Sequence, residues 1–358
     1  MKVLIIQQKM IGDVLTSSIL FEALKEKHPD WELHYFINTH TFSVVEHNPF
    51  IDKFIFFTPE IEESKSLFFK FLKSIQKEKY DIVIDVYSKL SSNIISLFSG
   101  AKTRISKRKW YTSFLYTKTF KYHNTTKTNA GLAIENRLQL LEPFGIDNKV
   151  YKPKIYLTKK DLETAKQFLS THHINLSKPL YMISVLGSNE NKTYPLHYMA
   201  KIIDQIVAQT NGQILFNYIP KQELQAKQVF DLCLKTTQEH IYFDVFGTSL
   251  TSFLAITNYC TALIGNEGGA VNMAKALNVK TFTIFSPWID KETWSIFEND
   301  LSNISVHLKD YKPELYTSIH EKKMKSKSLD LYNAFEPELI KNKLRLFLKE
   351  TLVKKIND

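Results

Sequence analysis

The sequence of 358 residues has few cysteines and no long apolar run. Its two cysteines, Cys233 and Cys260, form neither a disulfide framework nor a CxxC metal-ligand pair, and both lie in apolar-patterned segments. No stretch approaches the roughly 18 uninterrupted apolar residues that a membrane-spanning helix needs, and the run at 2–7 is too short for the core of a signal peptide. These absences predict a cytoplasmic protein with reduced cysteines in its core.

Glycine is scarce as well, with ten residues, and several familiar glycine motifs are missing. The GxGxxG fingerprint of dinucleotide-binding proteins occurs nowhere, which weakens a dehydrogenase interpretation. Neither a P-loop nor a GxSxG nucleophile elbow is present. The eleven histidines show no metal-ligand spacing, so the sequence gives no support to metal catalysis.

Acidic residues are absent from one long segment, since no Asp or Glu occurs between Val86 and Ile134. The whole chain has a net charge of +10, which indicates an anionic partner such as nucleic acid, a phospholipid surface or a phosphorylated substrate. Residues 104–122 combine positive charge with aromatic side chains. They form either a surface for a phosphorylated, lipid-linked acceptor or an anionic membrane, or a solvated face with some core aromatics. The basic residues of the acid-free segment are Lys89, Lys102, Arg104, Lys107, Arg108, Lys109, Lys118, Lys121 and Lys127.

The pattern of apolar residues predicts an α/β protein with two domains. The chain is longer than one ordinary α/β core, and its 44% hydrophobic and 23% charged residues are typical of soluble globular proteins. In both halves β-rich runs alternate with helical patterns, as in parallel sheets covered by helices on both faces. We predict strands at 3–6, 33–37, 53–57, 82–86, 180–186, 213–217, 241–243, 262–264 and 281–285. The predicted helices are 14–27, 67–77, 90–98, 132–144, 160–170, 196–209, 222–235, 250–258 and 270–277.

Three positions refine this outline. Gly145 should end the helix at 132–144 as a left-handed C-cap. Residues 309–327 are polar and basic and are predicted to be a loop. Pro337 can begin a final helix, because the apolar residues that follow it mark one helical face.

Three of the ten glycines fall within five residues, at Gly265, Gly268 and Gly269. They follow a predicted strand and precede a predicted helix. A glycine turn there lets the backbone approach a ligand closely, and a helix N-terminus offers N–H donors to a phosphate. The segment is therefore a candidate diphosphate site, with a tight turn that binds no ligand as the alternative.

Charged residues follow the first strand of each half. Gly12 and Asp13 come after the first strand of the chain, and Asp13 is either a general base facing the interdomain cleft or the N-cap of its helix. Lys192 lies in the corresponding polar loop of the second half, where it either neutralises a departing diphosphate or is a solvated lysine. Asp81 and Asp85 could share one face of a strand, but strand-end polar roles are favoured over a metal pair.

Four segments carry a family resemblance. They are KVLII at 2–6, IGDVL at 11–15, YDIVID at 80–85 and GNEGGAVNMAKAL at 265–277. In this order and spacing they resemble glycosyltransferase family 9, which contains the lipopolysaccharide heptosyltransferases and their relatives. The resemblance implies an α/β fold of the GT-B class, in which two Rossmann-like domains with parallel sheets face a central cleft. It predicts an acceptor-binding domain at 1–160, a nucleotide-sugar-binding domain at 161–330, and a C-terminal helix at 331–358 that packs back towards the first domain.

The resemblance also implies an inverting, metal-independent glycosyltransferase that uses no cofactor besides its nucleotide-diphosphate sugar. We expect transfer of a sugar, with ADP-heptose as the expected donor, to a lipopolysaccharide-core or related glycan acceptor. The enzyme would be cytoplasmic and peripheral on the inner membrane. Asp13 matches the catalytic base, Lys192 a lysine that contacts the donor phosphate, and Glu223 a carboxylate that holds the ribose. The predicted donor-binding residues are Gly12, Ser188, Lys192, Glu223, Glu267, Gly268, Gly269 and Asn272. The predicted acceptor or membrane surface consists of Arg104, Lys107, Arg108, Lys109 and Lys121.

The glycine turn departs from the usual family pattern of Asp, then Thr or Ser, then Gly, with His three residues later. This chain has Glu267, Gly268, Gly269 and Asn272 at those positions. The longer carboxylate and the missing imidazole leave the donor sugar, the base and the acceptor open.

Two other classes of function are compatible with parts of the sequence. A non-catalytic nucleotide-sugar or partner-binding protein would keep the same fold. A nucleic-acid binder would use the basic, aromatic segment, but no recognition module supports it, and we expect no nucleic-acid partner.

Overall fold

A computed structural model describes residues 1–146, 149–317 and 321–353. The chain divides into two compact units, Met1–Tyr156 and Leu157–Asp358. The division lies just before a helix that begins at Lys159, whereas the sequence predicts a boundary after residue 160. The segment from 331 onwards, predicted as a separate element, is grouped with the second unit.

The first unit contains a parallel sheet and six α-helices in the part of the chain that the structure describes. Its strands are β1 (Lys2–Ile6), β2 (Glu32–Asn38), β3 (Lys53–Phe57), β4 (Ile82–Asp85), β5 (Thr103–Lys107) and β6 (Lys118–Phe120). Its helices are α1 (Ile11–Ser17), α2 (Ile19–Lys27), α3 (Pro59–Glu63), α4 (Lys65–Lys77), α5 (Leu90–Phe98) and α6 (Leu132–Leu138). Short 3₁₀ helices lie at Thr39–Val44, Ser113–Leu115 and Gln139–Phe144. The strand order is β3-β2-β1-β4-β5-β6, which is the order of Rossmann-type domains.

The centre of the first sheet is buried on both faces. Residues 3–6 of β1 are completely inaccessible to solvent, as expected for a central parallel strand. Leu4 and Ile6 pack in one apolar cluster with Phe36 and Phe57. The chain turns in opposite directions after β1 and after β4, so the loops that follow these two strands meet where α/β sheets bind ligands.

The second unit repeats this plan with a sheet of five parallel strands among the residues described. They are β7 (Leu180–Ser184), β8 (Gln213–Asn217), β9 (Ala262–Asn266), β10 (Lys280–Ile284) and β11 (Asn303–Val306), in the order β11-β10-β9-β7-β8. The first six helices of this unit are α7 (Lys159–Thr171), α8 (Leu196–Thr210), α9 (Glu223–Leu232), α10 (Lys235–Gln238), α11 (Leu250–Asn258) and α12 (Gly269–Ala276). They are followed by α13 (Lys291–Trp294), α14 (Glu321–Met324), α15 (Ser328–Asn333) and α16 (Pro337–Val353). Short 3₁₀ helices lie at Glu190–Lys192, Pro220–Gln222, Leu308–Asp310, Pro313–Tyr316 and Lys325–Lys327. The chain continues from β7 towards one edge of the sheet and from β9 towards the other, so the loops that follow these neighbouring strands diverge.

The final helix, α16, contributes to the core of the second unit. Its apolar face contacts α8 and β10, and its packing back towards the first domain stays a prediction. The Tyr181 hydroxyl of β7 also lies 2.9 Å from Thr351 Oγ1 near the end of α16. The buried apolar residues of this face are Ile340, Leu344, Phe347 and Leu348.

Two predicted helices of the first unit are interrupted. The helix predicted at 14–27 is divided at Ser18, which separates α1 from α2. The helix predicted at 132–144 finishes as a 3₁₀ helix that contains Pro143, a residue with no N–H to donate to an α-helical bond. Gly145 ends it in the left-handed conformation at φ 70°, which confirms the predicted C-cap.

The short polar strands were the least predictable elements. The sequence patterns indicate none of β5, β6 and β11, because these short strands carry polar or charged residues. Conversely, the strand predicted at 241–243 forms only one bridge, between Ile241 and Ile214. The predicted loop at 309–327 contains short helical turns, and its residues 318–320 lie outside the described residues. No helix in the described ranges is both long and apolar enough to cross a membrane.

Candidate active site

Asp13 lies in the first turn of α1, in the segment that follows β1. Its Oδ1 accepts a hydrogen bond from Arg137 Nη2 at 2.7 Å. Arg137 is fixed in turn, because Nε donates to Ser17 Oγ at 2.9 Å and Nη1 donates to the Ala133 carbonyl at 2.7 Å. The N-cap position of α1 is Met10, so the alternative role of Asp13 as an N-cap is wrong.

The Asp13 carboxylate remains accessible although it is ion-paired. Its side chain is 25% exposed, against 11% for that of Arg137. Arg137 binds Oδ1, and Oδ2 accepts no hydrogen bond from the residues that the structure describes. The ion pair therefore orients the carboxylate and leaves one oxygen able to accept a proton from a bound hydroxyl.

Two tyrosines near Asp13, the buried Tyr35 and the half-buried Tyr122, are unsuited to act as the base. The Tyr35 hydroxyl donates to the Val14 carbonyl at 2.7 Å, and burial raises its pKa well above the usual range. Burial also raises the pKa of Tyr122 to about 12. Both phenols therefore keep their protons at neutral pH, and Asp13 is the better proton acceptor of the three.

Asp81 precedes β4 and Asp85 is its last residue, and the two have separate structural contacts. Asp85 is completely buried, and its carboxylate accepts hydrogen bonds from the Tyr116 hydroxyl at 2.5 Å and the Ser88 N–H at 2.7 Å. Burial raises the pKa of Asp85. Asp81 instead accepts from the Lys2 N–H at 2.8 Å. These contacts agree with strand-end polar roles, and the described residues contain no cluster of three or more His, Cys, Asp or Glu side chains suited to a metal ion.

The residues predicted as an acceptor or membrane surface have different environments. Arg104 has an internal role, because Nε donates to the Leu115 carbonyl at 2.9 Å and Nη1 to the Ala101 carbonyl at 2.7 Å. These two bonds brace β5, and a role of the half-exposed Arg104 in binding an acceptor or membrane stays a prediction. Lys107 Nζ lies 5.6 Å from the ring centroid of Tyr122, and burial lowers its pKa.

The other three cations of this surface differ in exposure. The Lys109 ammonium donates to the Ser88 carbonyl, and burial lowers its pKa. Arg108 and Lys121 are exposed. Of the five predicted residues, these two present their charge most directly to solvent.

The glycine turn predicted as a diphosphate site connects β9 to α12 in the second unit. Gly265, at φ 129°, has no room for a side chain, because a Cβ there would lie 2.4 Å from the Ser184 carbonyl oxygen. Asn266 Nδ2 donates to the same carbonyl at 2.9 Å, which joins β9 to β7. Gly268 is the N-cap and Gly269 begins α12. The first amides of α12 therefore lie at the carboxyl edge of the sheet, where they can bind a phosphate.

Lys192 lies in the loop after β7, the strand that neighbours β9 in the sheet. Its Nζ is 3.1 Å from Glu267 Oε1 and 5.8 Å from the ring centroid of Trp288. The side chains of Lys192 and Glu267 are 27% and 11% exposed. Glu267 Oε1 is buried without a hydrogen bond to any described residue, so its contact with Lys192 is an ion pair whose angles do not suit a hydrogen bond.

The loop after β7 is braced by several hydrogen bonds to Asn191. The Asn191 carbonyl accepts from Trp288 Nε1 and from Ser286 Oγ, both at 2.7 Å. The Asn191 side-chain oxygen accepts from Ser328 Oγ at 2.6 Å. The loop is thus held to the segment after β10 and to the start of α15.

Glu223 is the first residue of α9. The preceding Gln222 donates from Nε2 to the Gly187 carbonyl at 2.8 Å, which joins this helix to the loop after β7. Glu223 also lines a groove of about 760 Å³ together with residues 171–173, three other residues of α9, and residues 241–245. That volume lies within the range of small-molecule sites.

The sequence profile of glycosyltransferase family 9 (heptosyltransferase) matches residues 68–324. This chain belongs to glycosyltransferase family 9. Lipopolysaccharide heptosyltransferase 1 of Campylobacter coli is 26% identical over 293 residues, which cover 80% of this chain and 84% of that protein.

Two solved structures share the fold of this family 9 chain. The glycosyl transferase family 9 protein of Veillonella parvula DSM 2008 aligns with a TM-score of 0.76 at 17% identity, over 98% of this chain and 97% of that one. The ADP-heptose lps heptosyltransferase II of E. coli aligns with a TM-score of 0.68 at 15% identity, over 93% of this chain and 99% of that one. The predicted GT-B fold class is confirmed, and the family 9 protein is a glycosyltransferase.

Within this glycosyltransferase, most predicted donor-binding residues lie at the carboxyl edge of the second sheet. Ser188 is exposed in the loop after β7, and Asn272 is half-buried in α12. Gly12 lies in the first unit beside Asp13, so the structure groups it with the candidate base. The residues in the second unit are Ser188, Lys192, Glu223, Glu267, Gly268, Gly269 and Asn272.

Proposed function

We propose that this family 9 enzyme transfers heptose from ADP-heptose to a lipopolysaccharide-core or related saccharide acceptor. The transfer inverts the anomeric carbon and needs no metal ion or other cofactor. The C. coli relative is a lipopolysaccharide heptosyltransferase, and the E. coli structure is named for ADP-heptose, which supports this donor. The observation that carries the proposal is the ion pair of Asp13 with Arg137, which holds a carboxylate ready to accept a proton beside the carboxyl edge of the first sheet.

Asp13 acts as the general base. Its Oδ2 takes the proton of an acceptor hydroxyl while the hydroxyl oxygen attacks the anomeric carbon. The bond from that carbon to the diphosphate oxygen breaks, and its electron pair leaves with the nucleoside diphosphate. A single displacement of this kind inverts the configuration at the sugar, and proton transfer to a positioned base contributes roughly 10²- to 10⁴-fold to the rate.

Lys192 and the N-terminus of α12 stabilise the leaving diphosphate. Without donor, Lys192 Nζ contacts Glu267 at 3.1 Å. A bound diphosphate offers the ammonium more negative charge than one carboxylate, so Lys192 exchanges Glu267 for the phosphate when the donor binds. Glu267 and Asn272 are then available to the hydroxyls of the donor sugar.

The nucleoside part of the donor binds near Glu223. In this proposal its carboxylate accepts hydrogen bonds from the ribose hydroxyls, and the base lies in the groove that Glu223 shares with residues 171–173 and 241–245. The hydrogen bond from Gln222 to Gly187 links this region to the loop that carries Lys192. Ribose and diphosphate can therefore be bound by neighbouring parts of one sheet edge.

The basic segment places the enzyme on the anionic surface of the inner membrane, where a lipid-linked acceptor would lie. Trp110, Tyr111 and Phe114 are 91%, 54% and 80% exposed, although large aromatic side chains are usually covered in a soluble protein. The exposed cations Arg108 and Lys121 belong to the same segment. Exposed aromatics beside cations suit the interface between lipid headgroups and acyl chains.

The proposed reaction is tested by measuring ADP release from ADP-heptose with and without a heptose-deficient lipopolysaccharide-core acceptor. Release that depends on the acceptor supports heptosyl transfer. A protein that binds ADP-heptose but releases no ADP with the acceptor would instead be the non-catalytic binding protein of the same fold.

A further inference from the structure

Two lysine ammonium groups lie close to the indole of Trp288. Lys192 Nζ is 5.8 Å from the ring centroid, and Lys325 Nζ is 5.4 Å from it. The two cations are therefore no farther apart than the sum of these distances. Lys192 is the phosphate-binding lysine of the proposed reaction, whereas that reaction assigns no role to Lys325.

The segments that carry Trp288 and Lys325 are both attached to the loop of Lys192. The Trp288 indole N–H donates to the Asn191 carbonyl at 2.7 Å. Ser328, which follows the short helix that begins at Lys325, donates to the Asn191 side-chain oxygen at 2.6 Å. Attraction between a cation and an aromatic face further favours the Lys325 ammonium near this ring. Lys325 is thus held beside the loop of Lys192 by its own part of the chain.

Lys325 presents its ammonium group to solvent. Its side chain is exposed, and none of the acidic side chains that the structure describes, which do not include that of Glu321, forms an ion pair with it. Lys192 shares its charge with Glu267 at 3.1 Å. Lys327, on the same short helix, pairs with Asp330 at 3.5 Å.

We propose that Lys325 is a second phosphate-binding residue of the donor site and acts together with Lys192 on the donor diphosphate. This inference rests on the proposed function, because it takes the diphosphate to bind between Lys192 and the start of α12. A nucleoside diphosphate carries negative charge on both phosphate groups and gains more when its bond to the sugar breaks. Lys192, which starts out paired with Glu267, compensates only part of this charge, so a second cation stabilises the bound donor and the leaving group.

Calorimetric titration with ADP and with inorganic pyrophosphate tests the role of Lys325. Lys325→Ala should raise both dissociation constants roughly tenfold, because both ligands contain the diphosphate. Lys327→Ala is the matched control, since it removes the same charge from the same short helix and should change both constants by no more than about twofold. The difference between Lys325→Ala and the wild type should shrink as salt is added.

The outcomes separate this inference from the proposed function. If Lys192→Ala weakens the binding of both ligands and Lys325→Ala weakens the binding of neither, Lys325 is not a phosphate-binding residue and the proposed function stands. Equal losses in Lys325→Ala and Lys327→Ala would show a general effect of charge and overturn the inference. If the wild type binds neither ADP nor pyrophosphate, the donor site itself is wrong and both proposals fall.

Discussion

Arg137 Nη2 donates to Asp13 Oδ1 at 2.7 Å, a contact between residues 124 positions apart in the sequence. The same guanidinium is anchored to Ser17 Oγ and to the Ala133 carbonyl, so its orientation is set by α1 and α6 together. Asp13 therefore receives a fixed partner on one oxygen, while its other oxygen can accept a proton. The ion pair therefore fixes the orientation of the Asp13 carboxylate and leaves its side chain partly exposed.

Arg137 should act as a positioning residue for the base. A lysine cannot reproduce the planar fork that binds Asp13 and Ser17 together, so Arg137→Lys should lower kcat roughly 10- to 100-fold, and Arg137→Ala at least as much. The KM for the donor should change little, because the predicted donor-binding residues other than Gly12 lie in the second unit. Addition of guanidinium ion to Arg137→Ala should partly restore kcat. Unchanged kcat in both variants would show that the ion pair is only structural.

The ion pair of Lys192 with Glu267 predicts opposite effects on two ligands. Lys192→Ala should weaken the binding of both ADP and ADP-heptose, because both contain the diphosphate. Glu267→Gln should weaken the binding of ADP-heptose. It should bind ADP at least as tightly as the wild type, because the neutral glutamine amide no longer competes with the diphosphate for the Lys192 ammonium. Calorimetric titration of each variant with both ligands measures these changes. Equal losses of both ligands in Glu267→Gln would contradict the contact of Glu267 with the sugar.

Membrane binding should depend on the exposed aromatic residues of the basic segment. The double variant Trp110→Ala/Phe114→Ala should sediment less with vesicles that contain phosphatidylglycerol, and so should Arg108→Glu/Lys121→Glu. Leu301→Ala is a control, since Leu301 is 60% exposed in the second unit. Binding of the wild type should also fall with added salt. Vesicle binding that is the same in all variants would rule out this surface.

His307 should make the stability of the protein depend on pH. Its ring is buried, and Nδ1 accepts a hydrogen bond from the Lys309 N–H at 3.0 Å, which requires an unprotonated nitrogen. Burial lowers the pKa of His307 below its ordinary value of 6.5. The unfolded chain therefore binds this proton more readily, and the free energy of unfolding decreases as the pH falls through and below that value.

The variant His307→Asn isolates this effect, because asparagine keeps an acceptor for Lys309 but does not titrate. Urea unfolding of both proteins at neutral pH and about one unit below pH 6.5 measures the loss of stability on acidification. We expect a smaller loss in His307→Asn than in the wild type. The buried His34, whose pKa burial also lowers, titrates in both proteins and cancels from the comparison. Equal losses would show that His307 does not contribute.

Apolar patterning predicts the apolar strands of both sheets, including the edge strands β3 and β8, but not the short polar strands. Strands such as β1 and β7 are recognisable because nearly all their side chains are apolar and buried. β5 and β6 contain lysine and arginine, and they owe their order to pairing with a neighbouring strand, which the local pattern does not reveal. The same segment was correctly identified as basic, yet the internal role of Arg104 depends on two carbonyls that only the folded chain places beside it.

The candidate site shows the same division between local and tertiary information. Asp13, Lys192 and the glycine turn could be found because they follow strand ends, where parallel sheets bind ligands. Arg137 was not found, since its only local signal is a basic residue within a predicted helix. Trp288 was also missed, because its link to the loop of Lys192 is a hydrogen bond between distant parts of the chain.

Turnover of Asp13→Asn tests most directly whether Asp13 is the base of a heptosyl transfer. Asparagine retains an oxygen for the hydrogen bond from Arg137 but is a very poor proton acceptor. ADP release and acceptor product are measured with ADP-heptose and a heptose-deficient lipopolysaccharide-core acceptor, and ADP binding and thermal unfolding serve as controls. We expect acceptor-dependent turnover in the wild type and a loss of at least about 10²-fold in the variant, with ADP affinity and thermal unfolding unchanged. Turnover in Asp13→Asn close to that of the wild type would contradict the assignment of Asp13 as the base.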